Sequence, residues 1–319
     1  MKKIVILILI LFLVLLIIPF GLSIYFYHQY FGVRYETYEP LSYSIDDFPE
    51  LKREKYEFIS NKGQKLLGYN YYIDKNVKGI VVLAHGFGGG GHKSYMDCAN
   101  YFAKNVYYVF AYDSTGNDES GGKSVNGLPQ GVIDLNYAIS FLEKQDEFKN
   151  LPFMLFGHSW GGYSVTNVLN YHPEVKAVVS LAGFNKSSDL IKSRGEQLVG
   201  GIVNVLVPYI NVYEYMKFGS YASNTSMDGF EKSNAGVMVV HSEDDSVVRK
   251  KYGYDIYYKK YKNSPRFEFV SYSDRGHSQV YYSNSGILYY DEFVDKIDDY
   301  FEGQDDVSEE QKAEYIKKI

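Results

Sequence analysis

The pentapeptide Gly-His-Ser-Trp-Gly at residues 157–161 constrains the fold of this chain most, because of the segments on either side of it. Residues 151–156 form an apolar run, and residues 162–169 can wind as a helix. A serine at a sharp turn from a strand into a helix has its hydroxyl above the sheet edge and beside free N–H groups that receive an oxyanion. The flanking glycines avoid collisions with the neighbouring strand and helix. The pattern alone is only moderately specific, so the rest of the chain must decide.

Composition excludes several classes of protein and site. The chain of 319 residues can bury one large core or two modest ones. Its formal net charge of −6 and the lack of a basic stripe argue against a nucleic-acid partner. The single cysteine, Cys98, excludes an intramolecular disulfide and a cysteine-built metal site. No metal-ligand cluster of recognisable spacing is present, and we expect no metal.

The N-terminus predicts a membrane helix. Lys2 and Lys3 precede residues 4–27, an uncharged run that is about 36 Å long as a helix and exceeds a hydrocarbon core of about 30 Å. A cleaved signal peptide is the alternative, but no small-residue cleavage site follows the run. We therefore expect residues 1–27 to be an uncleaved signal anchor. The positive-inside rule leaves the lysines in the cytoplasm and places the rest of the chain on the extracytoplasmic side of the cell membrane, as a single-pass protein.

Alternating strand and helix patterns follow this segment. Two β-type runs flank residues 61–64, a hairpin signature, and apolar strands then alternate with amphipathic helices up to residue 303. This order predicts an α/β fold with a mostly parallel, doubly wound sheet that has antiparallel strands at its start. We expect residues 28–54 to be a connector and residues 304–319 a charged tail.

About fifty residues interrupt this rhythm between two of the strands. They include residues 198–210, which are too apolar for an exposed loop. We interpret residues 185–234 as a helical cap, or lid, inserted into a core of residues 55–184 and 235–303. The apolar cap residues either pack the cap onto the core or line an acyl-binding pocket, and the two roles do not exclude each other.

A serine hydroxyl becomes a nucleophile when a base takes its proton and a third group orients that base. His277 lies just past the last predicted strand, where a loop can bring it over Ser159. The loop after the preceding strand supplies three carboxylates, those of Glu243, Asp244 and Asp245. Each residue taken singly is an ordinary loop residue, but together they follow the strand ends in the order nucleophile, acid, base.

At these residues the chain resembles the alpha/beta-hydrolase superfamily. The acid loop of that family commonly reads His-Gly-x-x-Asp-x-x-Val, and aligning it with residues 241–248 places the acid at Asp245, although Ser242 replaces the usual glycine. The resemblance covers residues 55–303 and implies an alpha/beta-hydrolase fold with the catalytic residues Ser159, Asp245 and His277.

The resemblance also implies an oxyanion hole. In the family, the residue after a His-Gly pair and the residue after the nucleophile donate backbone N–H groups to the developing oxyanion. These positions are Phe87, in the loop of residues 85–91, and Trp160. The alternatives for this loop are a flexible glycine loop or a phosphate cradle, but no Gly-Lys-Ser/Thr follows it.

The function implied is that of a serine hydrolase that needs no cofactor and cleaves acyl esters through an acyl-enzyme intermediate. An apolar cap and a membrane tether favour a small or lipid-like acyl substrate, as in an esterase, lysophospholipase or monoacylglycerol lipase. One alternative is a serine aminopeptidase similar to the prolyl-aminopeptidase branch, which shares the Gly-x-Ser-Trp-Gly elbow and requires carboxylates for the substrate's amino group. The cap offers Asp189, Glu196, Glu214 and Asp228. The other alternative is a non-catalytic surface binding protein on a hydrolase fold.

Overall fold

The structure, a computed structural model, describes residues 2–304 and 307–318. Met1 of the expected anchor and positions 305, 306 and 319 of the expected tail lie outside the described residues.

An eight-stranded sheet with the order β1-β2-β4-β3-β5-β6-β7-β8 forms the centre of the fold. The first hairpin pairs antiparallel with β4, and every pairing from β4 to β8 is parallel. This confirms the expected alpha/beta-hydrolase fold with a mostly parallel sheet. The strands are β1 (Lys52–Ile59), β2 (Lys65–Tyr72), β3 (Ile80–Ala84), β4 (Tyr108–Tyr112), β5 (Phe153–His158), β6 (Ala177–Leu181), β7 (Gly236–Ser242) and β8 (Phe267–Tyr272).

Helices cover both faces of the sheet, so its central strands are apolar on both sides. In β3 the side chains of Ile80 and Val82 belong to one core layer, and those of Val81 and Leu83 to the other. The helices are α1 (Lys2–Phe31), α2 (Met96–Lys104), α3 (Leu128–Leu142), α4 (Trp160–Asn167), α5 (Ser187–Val199), α6 (Val203–Phe218), α7 (Ser220–Ser223), α8 (Ser226–Lys232), α9 (Tyr254–Tyr261), α10 (Asn284–Phe301) and α11 (Glu309–Ile316).

Four helices, α5 to α8, occupy the interval between β6 and β7. One face of α6 is buried through Val203, Val207 and Ile210, which recur at helical spacing. Glu214 continues this buried face and accepts hydrogen bonds from Ser187 of α5 and from Tyr27 of α1. These helices therefore pack against each other and against the N-terminal helix.

The N-terminal helix α1 is 30 residues long, and its most apolar window has a mean hydropathy of 3.4. Among the described residues it is the one helix that is long and apolar enough to cross a membrane, a property that a signal sequence shares. The helix continues four residues past the predicted boundary at residue 27, because Tyr27 and Phe31 are buried in the main core.

The segment after α1 is bonded to the core domain. The Val125 N–H donates to the Val33 carbonyl, and the Tyr35 N–H donates to the Gly116 carbonyl, both at 3.0 Å. The Arg34 guanidinium donates to the Ser120 carbonyl at 2.8 Å. The residues directly after the N-terminal helix are therefore hydrogen-bonded to the loops that follow β4.

Candidate active site

The turn at Ser159 joins β5 directly to α4. Ser159 has φ 55° and ψ −113°, a left-handed conformation that a non-glycine residue adopts only when its surroundings enforce it. A Cβ atom on Gly161 would lie 1.9 Å from the Ala84 carbonyl oxygen, and one on Gly157 would lie 2.3 Å from the Gly161 carbonyl oxygen. The glycines at both positions thus allow the helix to begin against the strands and hold the serine above them.

The structure brings together the three residues that the sequence assigns to catalysis. The Ser159 Oγ lies 2.8 Å from the His277 Nε2, and the His277 Nδ1 lies 2.8 Å from the Asp245 Oδ2. The other two carboxylates of the acid loop point elsewhere. Asp244 accepts hydrogen bonds from the Ser242 hydroxyl and the Gly276 N–H, and Glu243 pairs with Lys250.

The Asp245 carboxylate is held by four donors. Its Oδ1 accepts the N–H groups of Val247 and Val248, each at 2.8 Å, and its Oδ2 lies 3.1 Å from the His241 Nε2 besides its contact with His277. Burial alone raises the pKa of Asp245, but the hydrogen bonds from His241 and His277 outweigh burial and hold that pKa below its ordinary value. The Asp245 carboxylate is therefore ionised and fixed in orientation at neutral pH.

A second hydrogen-bonded chain connects the loop after β3 with the loop that carries His277. The Gly86 N–H donates to the Tyr95 hydroxyl at 3.1 Å, and that hydroxyl lies 2.8 Å from the His158 Nδ1. The His158 Nε2 lies 2.8 Å from the His277 carbonyl oxygen. Burial, followed by the proximity of His277, lowers the pKa of His158 to about 3. The ring is thus neutral, donates from Nε2 to His277 and accepts from Tyr95 at Nδ1.

Phe87 and Trp160 lie side by side at the elbow. Their rings meet edge to face with centroids 5.5 Å apart. Trp160 is the first residue of α4, so its N–H has no acceptor within the helix. In the loop after β3, the Gly86 N–H is taken by Tyr95, and the next amide is that of Phe87. Two donors of the kind an oxyanion requires therefore belong to residues in mutual contact.

His85 fixes the backbone before Phe87. Its Nε2 accepts the Ser114 N–H at 2.9 Å, and its Nδ1 donates to the Gly86 carbonyl oxygen at 2.7 Å. Burial lowers the pKa of His85, which keeps the ring in the neutral form that these two bonds require.

Sequence reasoning missed three supports of the site. His241 opens the acid-loop pattern, which located Asp245 but gave no sign that this histidine itself contacts the acid. Tyr95 carries no local signal, because it joins His158 across 63 residues. The Phe87 ring also stacks on Tyr30 of α1 with centroids 5.8 Å apart and an interplanar angle of 3°. The N-terminal helix therefore touches the loop expected to bind the oxyanion.

One further group of side chains has the residue types of a metal site. The side chains of Glu143, His172 and Glu174 have ligand atoms within 4.8 Å of one another in the described part of the chain. Both nitrogens of His172 already have partners, since Nδ1 contacts Glu174 and Nε2 contacts the Asn136 side chain, each at 2.8 Å. This histidine is therefore committed to bonds within the protein.

Comparison with known sequences identifies related proteins. The sequence model of the family described as serine aminopeptidase, S33 (Hydrolase_4) matches residues 75–267. A monoacylglycerol lipase of Mycolicibacterium smegmatis is 30% identical over 112 residues, 34% of this chain and 39% of that protein. A caffeoylshikimate esterase of Arabidopsis thaliana is 31% identical over 104 residues, 32% of this chain and 31% of that protein. The matched segments thus span less than half the length of these relatives.

Comparison with solved structures gives the same fold. An esterase of Pyrococcus furiosus has a TM-score of 0.58 at 16% identity, with 81% of this chain and 93% of that chain covered. The acylaminoacyl peptidase of Pyrococcus horikoshii also has a TM-score of 0.58 at 16% identity, and the match covers 84% of this chain and 45% of that chain. At this identity the similarity shows a shared fold and nothing finer.

The neutral state of His158 predicts a pH dependence of folding. Unfolded His158 takes up a proton near pH 6.5, whereas the folded chain resists protonation down to about pH 3. The stabilisation is present above pH 6.5 and is lost as the pH falls below it. Replacing His158→Gln should therefore reduce the slope of unfolding free energy against pH, between pH 6.5 and about pH 5, by up to about 1.4 kcal/mol per pH unit. Denaturant titrations of both full-length proteins in detergent measure the slope; an unchanged slope would contradict a neutral, buried His158.

Proposed function

The chain belongs to the serine aminopeptidase S33 family of alpha/beta-hydrolase serine hydrolases, and we propose that it is a membrane-anchored esterase that cleaves acyl esters. The observation that carries this proposal is the continuous line of hydrogen bonds from Ser159 through His277 to Asp245, with 2.8 Å at each step. A serine in a strained elbow with an oriented imidazole beside it is the arrangement that nucleophilic acyl transfer needs.

The proposed reaction follows from this geometry. The Ser159 Oγ attacks the acyl carbonyl carbon and gives its proton to the His277 Nε2, while Asp245 holds the Nδ1–H and stabilises the imidazolium. The N–H groups of Phe87 and Trp160 stabilise the oxyanion, together with the N-terminus of α4. His277 then protonates the departing alcohol. Water, deprotonated by the same nitrogen, attacks the acyl-enzyme carbonyl. The bond between the acyl carbon and the Ser159 Oγ then breaks, His277 returns the proton to that oxygen, and the carboxylic acid leaves.

The contacts that the cap carboxylates make within the protein favour an ester substrate over an aminoacyl amide. An aminopeptidase must hold a substrate ammonium group with carboxylates, but each of the four candidates already contacts groups of the protein. Glu196 contacts Arg249, Lys251 and Tyr252; Glu214 contacts Tyr27 and Ser187; Asp189 accepts the Lys186 N–H; Asp228 accepts the N–H and hydroxyl of Thr225. The names of the matched lipase and esterase relatives agree with this choice.

The buried end of α1 supports retention of the helix as an anchor. Ser23 and Tyr27 are almost fully buried, and Tyr27 packs in the main core with Phe31. Cleavage after the apolar run would remove these side chains and open a gap beside the cap. With Lys2 and Lys3 on the cytoplasmic side, the catalytic domain lies on the extracytoplasmic side of the cell membrane.

Substrate comparison tests the esterase proposal. The full-length protein in detergent should hydrolyse acyl esters of graded chain length and leave aminoacyl anilides intact. The Ser159→Ala variant should lose at least about 10⁴-fold in kcat, because it removes the nucleophile. Ser278→Ala, which changes an exposed serine beside His277, serves as the matched control and should keep the wild-type rate. A higher kcat/KM for the anilides than for every ester would replace the esterase proposal with the aminopeptidase.

Protease accessibility tests the orientation. In intact cells that express the full-length chain, added protease should digest the domain that follows α1, because its charged surface loops face outward. An immunoblot before and after lysis reads the result, and a cytoplasmic marker protein controls for leakage. Digestion that begins only after lysis would show that the domain faces the cytoplasm.

A further inference from the structure

The cap carries a large exposed apolar surface. Residues 197–213 contain no charged side chain, and five of their nine Val, Leu and Ile side chains lie exposed on the outside of the protein. Soluble monomers seldom expose a contiguous patch of this kind without a partner. The apolar cap face consists of residues that are each more than half exposed: Leu198, Val199, Ile202, Val205, Val212 and Met216.

Helix α6 is apolar on two opposite sides. Its inner side, described above, packs into the protein, and Val205, Val212 and Met216 lie on its outer side, where their spacing of seven and four residues places them on one stripe. A helix with apolar residues on both sides has its second apolar side covered when the protein is in its functional setting.

The contacts between α6 and the neighbouring helix α1 indicate what covers the exposed apolar side of α6. The Tyr209 hydroxyl of α6 donates to the Leu15 carbonyl oxygen, and the Ser23 hydroxyl of α1 lies 3.3 Å from the Leu206 carbonyl oxygen. The Tyr213 hydroxyl lies 2.6 Å from the His28 Nε2. Helix α6 therefore lies against the second half of the N-terminal helix and does not stand clear of it.

The positions along α1 that contact α6 indicate how deep α6 lies in a bilayer that α1 crosses. Leu15 lies twelve residues before Tyr27, the end of the uncharged run, and Ser23 lies four residues before it. At the rise of a helix these intervals are about 18 Å and about 6 Å. The Ser23 contact is with the backbone of α6, whereas the Leu15 contact is with the end of the Tyr209 side chain, which extends toward the middle of the run. In a bilayer that surrounds the run, the backbone of α6 is then about 6 Å below the outer end of the run, at the depth of the upper acyl chains.

We propose that the apolar cap face lies in the interface of the bilayer that α1 crosses, so that lipid covers it. This inference rests on the anchoring proposed above. The uncharged stretch is shorter than a membrane span and is divided between α5 and α6 by a break at residues 200–202, so it lies in the interface and does not cross it. The Tyr30–Phe87 stack then places the loop of the expected oxyanion hole next to the membrane surface. An ester held in the outer leaflet has a short path to Ser159.

Lipid-resident quenchers test this placement in the full-length protein. The single native cysteine is first removed by Cys98→Ser, and an environment-sensitive fluorophore is attached to Ile202→Cys. Ile10→Cys in α1 is the membrane control, and Tyr101→Cys on α2 is the exposed control, with an exposure of 65% against 67% for Ile202. Each variant is reconstituted in phosphatidylcholine vesicles that carry nitroxides either near the headgroup or deep in the acyl chain. Equal thermal unfolding midpoints by circular dichroism verify that the variants fold alike.

The expected result separates the three positions. The Ile202 probe should be quenched several-fold more by the shallow nitroxide than by the deep one, the Ile10 probe should show the opposite order, and the Tyr101 probe should be unaffected. An Ile202 probe that behaves like the Tyr101 probe while Ile10 is quenched would overturn the inference and leave the anchor intact; a second copy of the chain covering this face would give that result. If the Ile10 probe is also unquenched, anchoring and the inference both fail.

Discussion

The close approach of α4 to the sheet is the constraint on which the rest of this site depends. Gly161 lets the helix begin where any side chain would meet the Ala84 carbonyl oxygen, and that approach holds Ser159 in a left-handed backbone conformation. The Ser159 N–H is fixed by the Leu181 carbonyl oxygen at 2.8 Å. The proposed nucleophile is therefore positioned by backbone packing, and the loops after β7 and β8 bring the side chains of Asp245 and His277 to a point that is already fixed.

A neutral histidine, His158, connects the loops around Ser159. His158 connects Gly86, through Tyr95, with the carbonyl of His277, so the loop expected to bind the oxyanion and the loop of the base share one hydrogen-bonded chain. Such a chain requires a ring that both donates and accepts, which a protonated imidazole cannot do. Burial supplies this condition by lowering the pKa of His158 to about 3. A displacement of either loop would therefore strain or break the hydrogen bonds that hold the other.

The sequence was most informative where a residue's position is set by the end of its own strand. Ser159, Asp245 and His277 each follow a recognisable apolar strand, and the parallel sheet brings those ends to one edge. Contacts between distant segments left no local pattern. The hydrogen bond from Tyr27 to Glu214 joins residues 187 positions apart, and no periodicity within α1 predicts it. The continuation of α1 to Phe31 has the same origin, since Tyr27 and Phe31 are buried in the core and the helix extends past the uncharged run.

Covalent labelling with a fluorophosphonate tests most directly whether Ser159 is an activated nucleophile. The reagent phosphonylates a serine whose hydroxyl is deprotonated by a neighbouring base, and intact-mass and peptide analysis then locate the adduct. One adduct, on Ser159, is expected in the full-length protein in detergent, and none in Ser159→Ala. A folded wild-type protein that forms no adduct would contradict an activated Ser159 and favour a binding protein on a hydrolase fold. An adduct that persists in Ser159→Ala would contradict it as well, because the nucleophile would then be another residue.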